Sequence, residues 1–151
     1  MAIEKTGNRN RKTWDFDEQE KRIRQILKAG KSDEIWKSPQ TVACYRQYLK
    51  ENICRPCLLT GIEDFLWEER YVFGYGDPEE YKELKKTKPS YTDTFELIAI
   101  EDEPEEQIFV TVKRLSDKKV FRLELDWLEA VDQESDNYML LHDYSVWYVN
   151  F

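Results

Sequence analysis

The chain has 151 residues, a net charge of −8 and 40% hydrophobic residues, which suits one ordinary domain and excludes an intrinsically disordered polymer. Its charge is uneven, because residues 1–60 carry 13 basic and 8 acidic side chains whereas residues 61–151 carry 10 and 23, so the halves are +5 and −13. An acidic second half repels nucleic acid and anionic membranes and attracts cations or basic proteins.

The first predicted element is a helix that follows a basic tail. Residues 1–13 are predicted to form a flexible basic tail ahead of a single domain, residues 14–151. Asp15 and Glu18 have the spacing of a capping box. The helix that begins there is predicted to end at Gly30 and to present one apolar stripe: Phe16, Ile23, Ile26 and Leu27.

Ser38-Pro39 predicts the start of a second helix, since proline is tolerated at the first helical position. That helix is predicted to end at Pro56 and to present Val42, Tyr45, Leu49 and Ile53. After it the composition favours short strands at 57–60, 65–67 and 70–73.

Asp77-Pro78-Glu79-Glu80 predicts a further helix start, with acidic side chains at the positive end of the helix dipole. Three strands are then predicted, at 95–100, 108–112 and 120–125, with a hairpin turn at 116–118; apolar residues alternate with other residues in the last two. The predicted core of this sheet comprises Phe95, Leu97, Ile108, Val110, Val112, Phe121, Leu123 and Leu125.

From about Tyr138 the apolar residues recur at helical spacing and predict a closing helix with Leu140, Tyr144, Trp147 and Phe151 on one face. By composition alone, 146–151 is equally compatible with a strand. The predicted fold class is α+β: N-terminal helices, a small antiparallel, barrel-like (SH3-like) sheet and a closing C-terminal helix.

Catalytic signatures are incomplete, so we expect no enzyme. His142 is the sole histidine, no serine is framed by glycines, and Gly74-Tyr75-Gly76 lacks the further residues of a phosphate-binding loop. Cys54-x-x-Cys57 is compatible with a redox pair or half a zinc site, but packing as small hydrophobic residues is favoured. An odd number of cysteines, and residues 1–20 without the apolar core of a signal peptide, predict a cytoplasmic protein.

Two acidic loops are the remaining candidates for a site. Hard cations such as calcium prefer carboxylate and carbonyl oxygens in flexible loops. The candidate carboxylate ligands are Asp132, Glu134 and Asp136 in one loop, with Glu101, Asp102 and Glu103 as a second group. The alternative is a solvated acidic face on which Ser135 or Asp136 caps the closing helix.

Features from residue 44 onward resemble the small bacterial calcium-binding proteins typified by cyanobacterial CcbP. The residues that carry this resemblance are Tyr45-Arg46-Gln47-Tyr48-Leu49-Lys50, Ile53-x-x-Pro56, Glu101 to Glu106 before Ile108-Phe109-Val110, Leu125-x-x-Leu128-Glu129, and Asp143-Tyr144-x-x-Trp147. The resemblance implies a small β-barrel with packed helices and calcium binding through surface acids. This chain departs from the family by inserting 71–91 and adding 1–43.

The sequence therefore favours a calcium-binding protein whose partner is a divalent cation, with no nucleic-acid or membrane partner. The alternative is a non-enzymatic interaction module of inhibitor or immunity type that binds a basic protein. Its candidate anchors are four aromatic residues of one segment: Trp67, Tyr71, Phe73 and Tyr75. Core packing accounts equally well for Trp67 and Phe73.

Overall fold

The structure is a computed structural model that describes residues 14–103 and 106–151. The predicted basic tail, 1–13, lies outside the described residues, as do Pro104 and Glu105 of the second acidic group's loop. Within the described ranges, no helix combines the length and apolar character that crossing a membrane requires.

The first helix, α1 (Phe16–Ile26), begins as predicted and ends earlier than predicted. The Asp15 side chain accepts hydrogen bonds from the first-turn N–H groups, at 2.8 and 3.2 Å. At the other end Lys28 adopts a left-handed conformation (φ 57°), and the N–H of Ala29 bonds back to the carbonyl of Arg24 at 2.8 Å. This Schellman turn ends the helix before Gly30. The predicted stripe is also corrected at Phe16, which lies exposed in the first turn.

The second helix, α2 (Pro39–Asn52), confirms the predicted start at Ser38-Pro39. The hydroxyl of Ser38 accepts from the N–H of Thr41 at 3.1 Å, and the N–H of Ser38 donates to the hydroxyl of Thr41 at 2.8 Å. The helix ends at Asn52, four residues before Pro56, and its fully buried face consists of Val42, Tyr45 and Leu49.

Five antiparallel strands form one sheet in the order β4-β3-β2-β1-β5. Their bounds are β1 Leu58–Gly61, β2 Phe95–Ile100, β3 Phe109–Arg114, β4 Val120–Glu124 and β5 Leu128–Ala130. The predicted α+β class is confirmed, although the sheet is open between β4 and β5 and is barrel-like only in a loose sense. Strand β5, which pairs with β1, was not predicted.

The chain between β1 and β2 is helical where strands were predicted. Residues 66–68 form a 3₁₀ helix and Glu69–Val72 form α3, so the predicted strands at 65–67 and 70–73 are wrong. The cause is the buried carboxylate of Glu68, which accepts from the N–H groups of Phe65 and Tyr91 and from the hydroxyls of Tyr81 and Ser90. Contacts up to 23 residues away are invisible to a local pattern.

The predicted helix start at Asp77 is confirmed by α4 (Pro78–Leu84). A buried arginine at the end of β3, Arg114, holds the far end of this helix. Its guanidinium donates to the carbonyls of Lys85, Lys86 and Lys88 at 2.9–3.0 Å, and also to the Asp93 and Asp117 carboxylates. Arg114 therefore satisfies carbonyls that a helix end otherwise leaves to water.

The core lies between the sheet and the helices, and the last helix, α5 (Asp136–Asn150), closes it as predicted. Every predicted core residue of the sheet is buried except Phe121, which is half-buried on β4. Trp147 and Tyr144 of α5 are fully buried, and the indole N–H of Trp147 donates to the carbonyl of Ile35 at 2.6 Å. Residues 146–150 belong to α5 and Phe151 is its C-cap, so the strand alternative for 146–151 is wrong.

Candidate functional site

Asp132 and Glu134 lie in the loop that connects β5 to α5, Asp136 is the first residue of α5, and all three side chains are exposed. One oxygen of Asp132 accepts from the N–H of Glu134 at 3.0 Å, and Ser135 caps α5 by accepting from the N–H of Tyr138 at 3.2 Å. This oxygen-only donor set suits a hard cation chemically. The loop is shaped by its own turn and cap, so the carboxylates share a surface without converging on one point.

The three side chains of the second acidic group have different surroundings. Glu101 bonds the guanidinium of Arg122 on β4 at 2.7 Å and the hydroxyl of Thr111 at 3.3 Å. Asp102 pairs with Lys50 on α2, and Glu103 is exposed. A cation at this group must compete with two existing ion pairs.

Among residues 14–103 and 106–151, no group of three or more His, Cys, Asp or Glu side chains is arranged to hold a metal ion. Calcium binding at either acidic loop therefore requires its carboxylates to rotate toward the ion. Oxygen ligands on exposed loops permit this, because calcium accepts irregular geometry.

A pair of partly buried carboxylates, Glu124 and Asp126, was not identified from the sequence. Burial, reinforced by the charge of Glu124, raises the pKa of Asp126 to about 6, and burial also raises the pKa of Glu124. Glu124 accepts from the amide of Gln107, whose carbonyl oxygen accepts from the Tyr148 hydroxyl at 2.9 Å. The Oδ1 atom of Asp126 is buried and has no hydrogen-bond partner among the described residues. Strand alternation gave no signal for this pair, because the 3₁₀ turn at Leu125–Trp127 redirects Asp126.

The four candidate anchor residues fall into two pairs. Trp67 and Tyr71 are partly buried and pack with Tyr81, which stacks on Tyr71 at 5.0 Å; the indole N–H of Trp67 donates to the carbonyl of Pro89 at 2.7 Å. Phe73 and Tyr75 are exposed, with 63% and 83% of their surfaces accessible. Core packing therefore accounts for Trp67, whereas the same interpretation of Phe73 is wrong.

A groove of about 800 Å³, called here the acidic groove, runs between the outer face of α5 and the 3₁₀–α3 segment. Its apolar lining includes Leu66, Val72, Val146 and Val149. Four acidic residues also line the groove: Glu63, Asp64, Asp126 and Glu129. The described residues of the lining include no Lys or Arg. None of the six candidate calcium ligands lies in this lining.

Neither cysteine of the Cys54-x-x-Cys57 motif shows the environment of a reactive pair. All three cysteines are free thiols. Cys57 is buried, which raises the pKa of its thiol to about 11, and Cys54 is exposed. The backbone N–H and carbonyl of Cys54 bond the side chain of Asn137 at 2.9 and 2.8 Å, so the motif anchors the start of α5.

His142 lies beside Asp143 on α5, and both residues contact the side-chain amide of Gln19 on α1. Its ring stacks on Tyr138 at 6.1 Å, and its Nδ1 lies 2.9 Å from the side-chain nitrogen of Gln19. Asp143 also accepts hydrogen bonds from the guanidinium of Arg22 at 2.7 and 2.9 Å.

No protein-family model matches the chain, and no curated protein sequence matches it. The fold is similar to that of a calcium-binding protein in the calcium-binding form, with a TM-score of 0.57 and 17% identity over 88% of this chain and 90% of that one. It is also similar to the crystal structure of Anabaena CcbP, with a TM-score of 0.55 and 15% identity over 92% and 94% of the two chains. At these identities the likeness establishes a shared fold, and the weak resemblance noted in the sequence is confirmed at that level.

Proposed function

We propose that this chain is an acidic calcium-binding protein that uses surface carboxylates in its loops. The observation that carries the proposal is the shared fold, which spans 88% of this chain and 90% of a protein described as calcium-binding. The −13 balance of residues 61–151 supports it, because an acidic surface concentrates divalent cations. Free thiols throughout support a cytoplasmic location for this function.

Asp132, Glu134 and Asp136 are the proposed principal ligands. Their carboxylates are exposed at one loop, so they can turn toward an ion at little cost in packing. Glu101, Asp102 and Glu103 are the proposed second group, and we expect it to bind calcium more weakly because Arg122 and Lys50 already occupy two of its carboxylates. Bound calcium relieves repulsion among clustered acids and stabilises the folded state by mass action.

The test is calorimetric titration with calcium and with magnesium at physiological salt. We expect saturable heat and a raised melting temperature with calcium, beyond the effect of magnesium. Asp132→Asn/Asp136→Asn should weaken calcium binding about tenfold, since each substitution removes a charged ligand. The matched control, Glu51→Gln/Glu79→Gln, removes the same charge from exposed positions on α2 and α4. Equal loss in both variants, or equal responses to the two cations, would contradict a calcium site in this loop.

The proposed function is non-enzymatic. A carboxylate-based hydrolase needs two acids of separated pKa that converge on one cleft. Asp126 and Glu124 both have raised pKa values, but only Asp126 lines the acidic groove. Of these two carboxylates, the acidic groove therefore receives the side chain of Asp126 alone.

The second candidate function is binding of a basic protein partner. It is favoured by one observation, the exposure of Phe73 and Tyr75 on either side of Gly74, whose backbone is left-handed (φ 85°). Exposed aromatic side chains are common anchors at protein interfaces. Trp67 and Tyr71, which precede these anchors in the chain, pack with each other and with Tyr81.

A further inference from the structure

We propose that the acidic groove is a docking site for a basic, amphipathic segment of a partner protein. The inference does not depend on calcium binding, because the proposed calcium ligands lie outside the groove. It rests on the second candidate function, binding of a basic protein, and gives that function a location and a ligand chemistry.

Large apolar side chains are exposed along both walls of the groove. Leu66 is 76% exposed on the 3₁₀ side, and Val149 is 72% exposed on α5. Val72 lies beside Leu66 in the lining and leads directly to the exposed Phe73. Solvent-exposed apolar side chains that lie together around a concave surface are typical of protein-binding sites. A partner that buries them gains hydrophobic free energy in proportion to the apolar area covered.

The charge of the groove specifies the partner's chemistry. Glu63, Asp64, Asp126 and Glu129 line it, without Lys or Arg among the described lining residues, although the chain has 23 such residues. A cationic side chain entering the groove meets carboxylates on more than one side, whereas an acidic segment is repelled. The complement is therefore a segment with apolar residues on one face and Lys or Arg on the other.

Two polar atoms in the lining residues lack hydrogen-bond partners within the described structure. They are the Oδ1 atom of Asp126 and the hydroxyl of Ser145, both buried from solvent. Buried polar atoms are usually paired, and unpaired ones are costly. A basic side chain that reaches Asp126 would donate to its carboxylate and stabilise its charged form. The groove thus combines an apolar contact surface with a lining carboxylate whose Oδ1 atom is covered from solvent, so a cation reaches that atom only when the Asp126 side chain turns toward the groove.

The experiment uses the full chain and two synthetic probes, since no natural partner is identified. One probe is a peptide with Leu at helical spacing opposite a Lys face, and the other alternates Leu and Lys for an extended conformation. Each has a matched version with Glu in place of Lys. Binding is followed by nuclear magnetic resonance shift mapping and fluorescence anisotropy at physiological salt, without calcium and then with calcium. We expect saturable binding of at least one Lys probe, with shifts at Val146 and Val149, and none with the Glu probes.

Matched variants distinguish binding in the acidic groove from non-specific hydrophobic binding. Leu66→Ser/Val149→Ser should weaken binding of the Lys probe about tenfold, because it removes apolar surface that the probe buries. Ile98→Ser/Val120→Ser removes two other exposed apolar residues, on β2 and β4 outside the groove, and should leave binding unchanged. Glu63→Gln/Asp64→Asn should weaken binding and reduce its salt dependence.

Several results would overturn the proposal. These are failure of both Lys probes to shift groove residues, equal binding of the Glu probes, or equal losses in the groove and control variants. Self-association that disappears in Leu66→Ser/Val149→Ser would assign the groove to a second copy of the chain. Contacts from 1–13 to Val149 in the free protein would assign it to the chain's own basic segment. Loss of calcium binding alone would leave this proposal standing, because the Lys probes are also tested without calcium.

Discussion

The guanidinium of Arg22 on α1 holds the buried carboxylate of Asp143 on α5 through two hydrogen bonds, of 2.7 and 2.9 Å. Gln19, one turn earlier on α1, donates to the same carboxylate at 2.9 Å. These bonds join the first and last helices of the described fold, which are 121 residues apart at this contact. The closing helix is thus fixed by a polar clamp as well as by its apolar face.

Arg22→Met should destabilise the protein by about 2–3 kcal/mol, because it leaves the Asp143 carboxylate buried with only Gln19 to satisfy it. The value lies below that of a fully buried pair because the Arg22 side chain is 27% exposed. Urea unfolding measures the loss, and Lys21→Met, at an exposed neighbouring position, is the matched control. A loss no larger than that of the control would show that solvent already weakens this ion pair.

Trp147→Ala should cost about 3–5 kcal/mol, since it empties a fully buried site and leaves the carbonyl of Ile35 without its donor. Trp147→Phe should cost less, because it keeps most of the ring that stacks on Tyr45 at 4.9 Å. Thermal and urea unfolding of both variants check the order. A smaller loss for alanine than for phenylalanine would contradict this packing.

Local sequence signals predicted elements whose causes are local. The Ser38-Pro39 cap, the alternation in β3 and the Asp77 cap each depend on side chains within a few residues, and the structure confirms all three. The error between β1 and β2 has a distant cause, since Glu68 joins the 3₁₀ helix to Tyr91 and Tyr81. The composition of this segment favoured strands, but the hydrogen bonds of the buried Glu68 carboxylate stabilise a helical conformation.

The features of the candidate site also differ in whether their causes are local or distant in the sequence. The composition of the sequence identified the acidic loops, because charged residues can be read directly from a sequence. It could not indicate which of these acids form ion pairs in the folded protein. Glu101 is bound to Arg122, 21 residues away, and this pairing depends on the β3–β4 register. The raised pKa of Asp126 and the walls of the acidic groove depend on tertiary burial, so no local pattern could indicate them.

Arg122→Gln should strengthen calcium binding at the second acidic group, because it frees the Glu101 carboxylate from its ion pair. We expect a gain of about twofold to tenfold at that group, since exposed ion pairs contribute little energy. The gain should persist in Asp132→Asn/Asp136→Asn, whose principal loop is disabled. Calorimetric titration of the combined variant measures it. An unchanged or weaker affinity would show that Glu101 is not a ligand.

Asp126→Asn should change the pH dependence of stability in a defined direction. The pKa of Asp126 is raised from 3.8 to about 6 in the folded protein, so the folded state holds this proton more tightly than the unfolded state does. The stability that the proton contributes is fully present below pH 3.8 and is lost as the pH rises through about 6. Asparagine cannot ionise, so the variant should match the wild type near pH 4 and exceed it by about 1–2 kcal/mol at pH 7.5, allowing for partial solvent exposure of the carboxyl. Urea unfolding across this range measures the difference, with exposed Glu79→Gln as the charge-matched control. A variant that is less stable than the wild type at pH 7.5 would mean that the ionised carboxylate is stabilised in the folded protein.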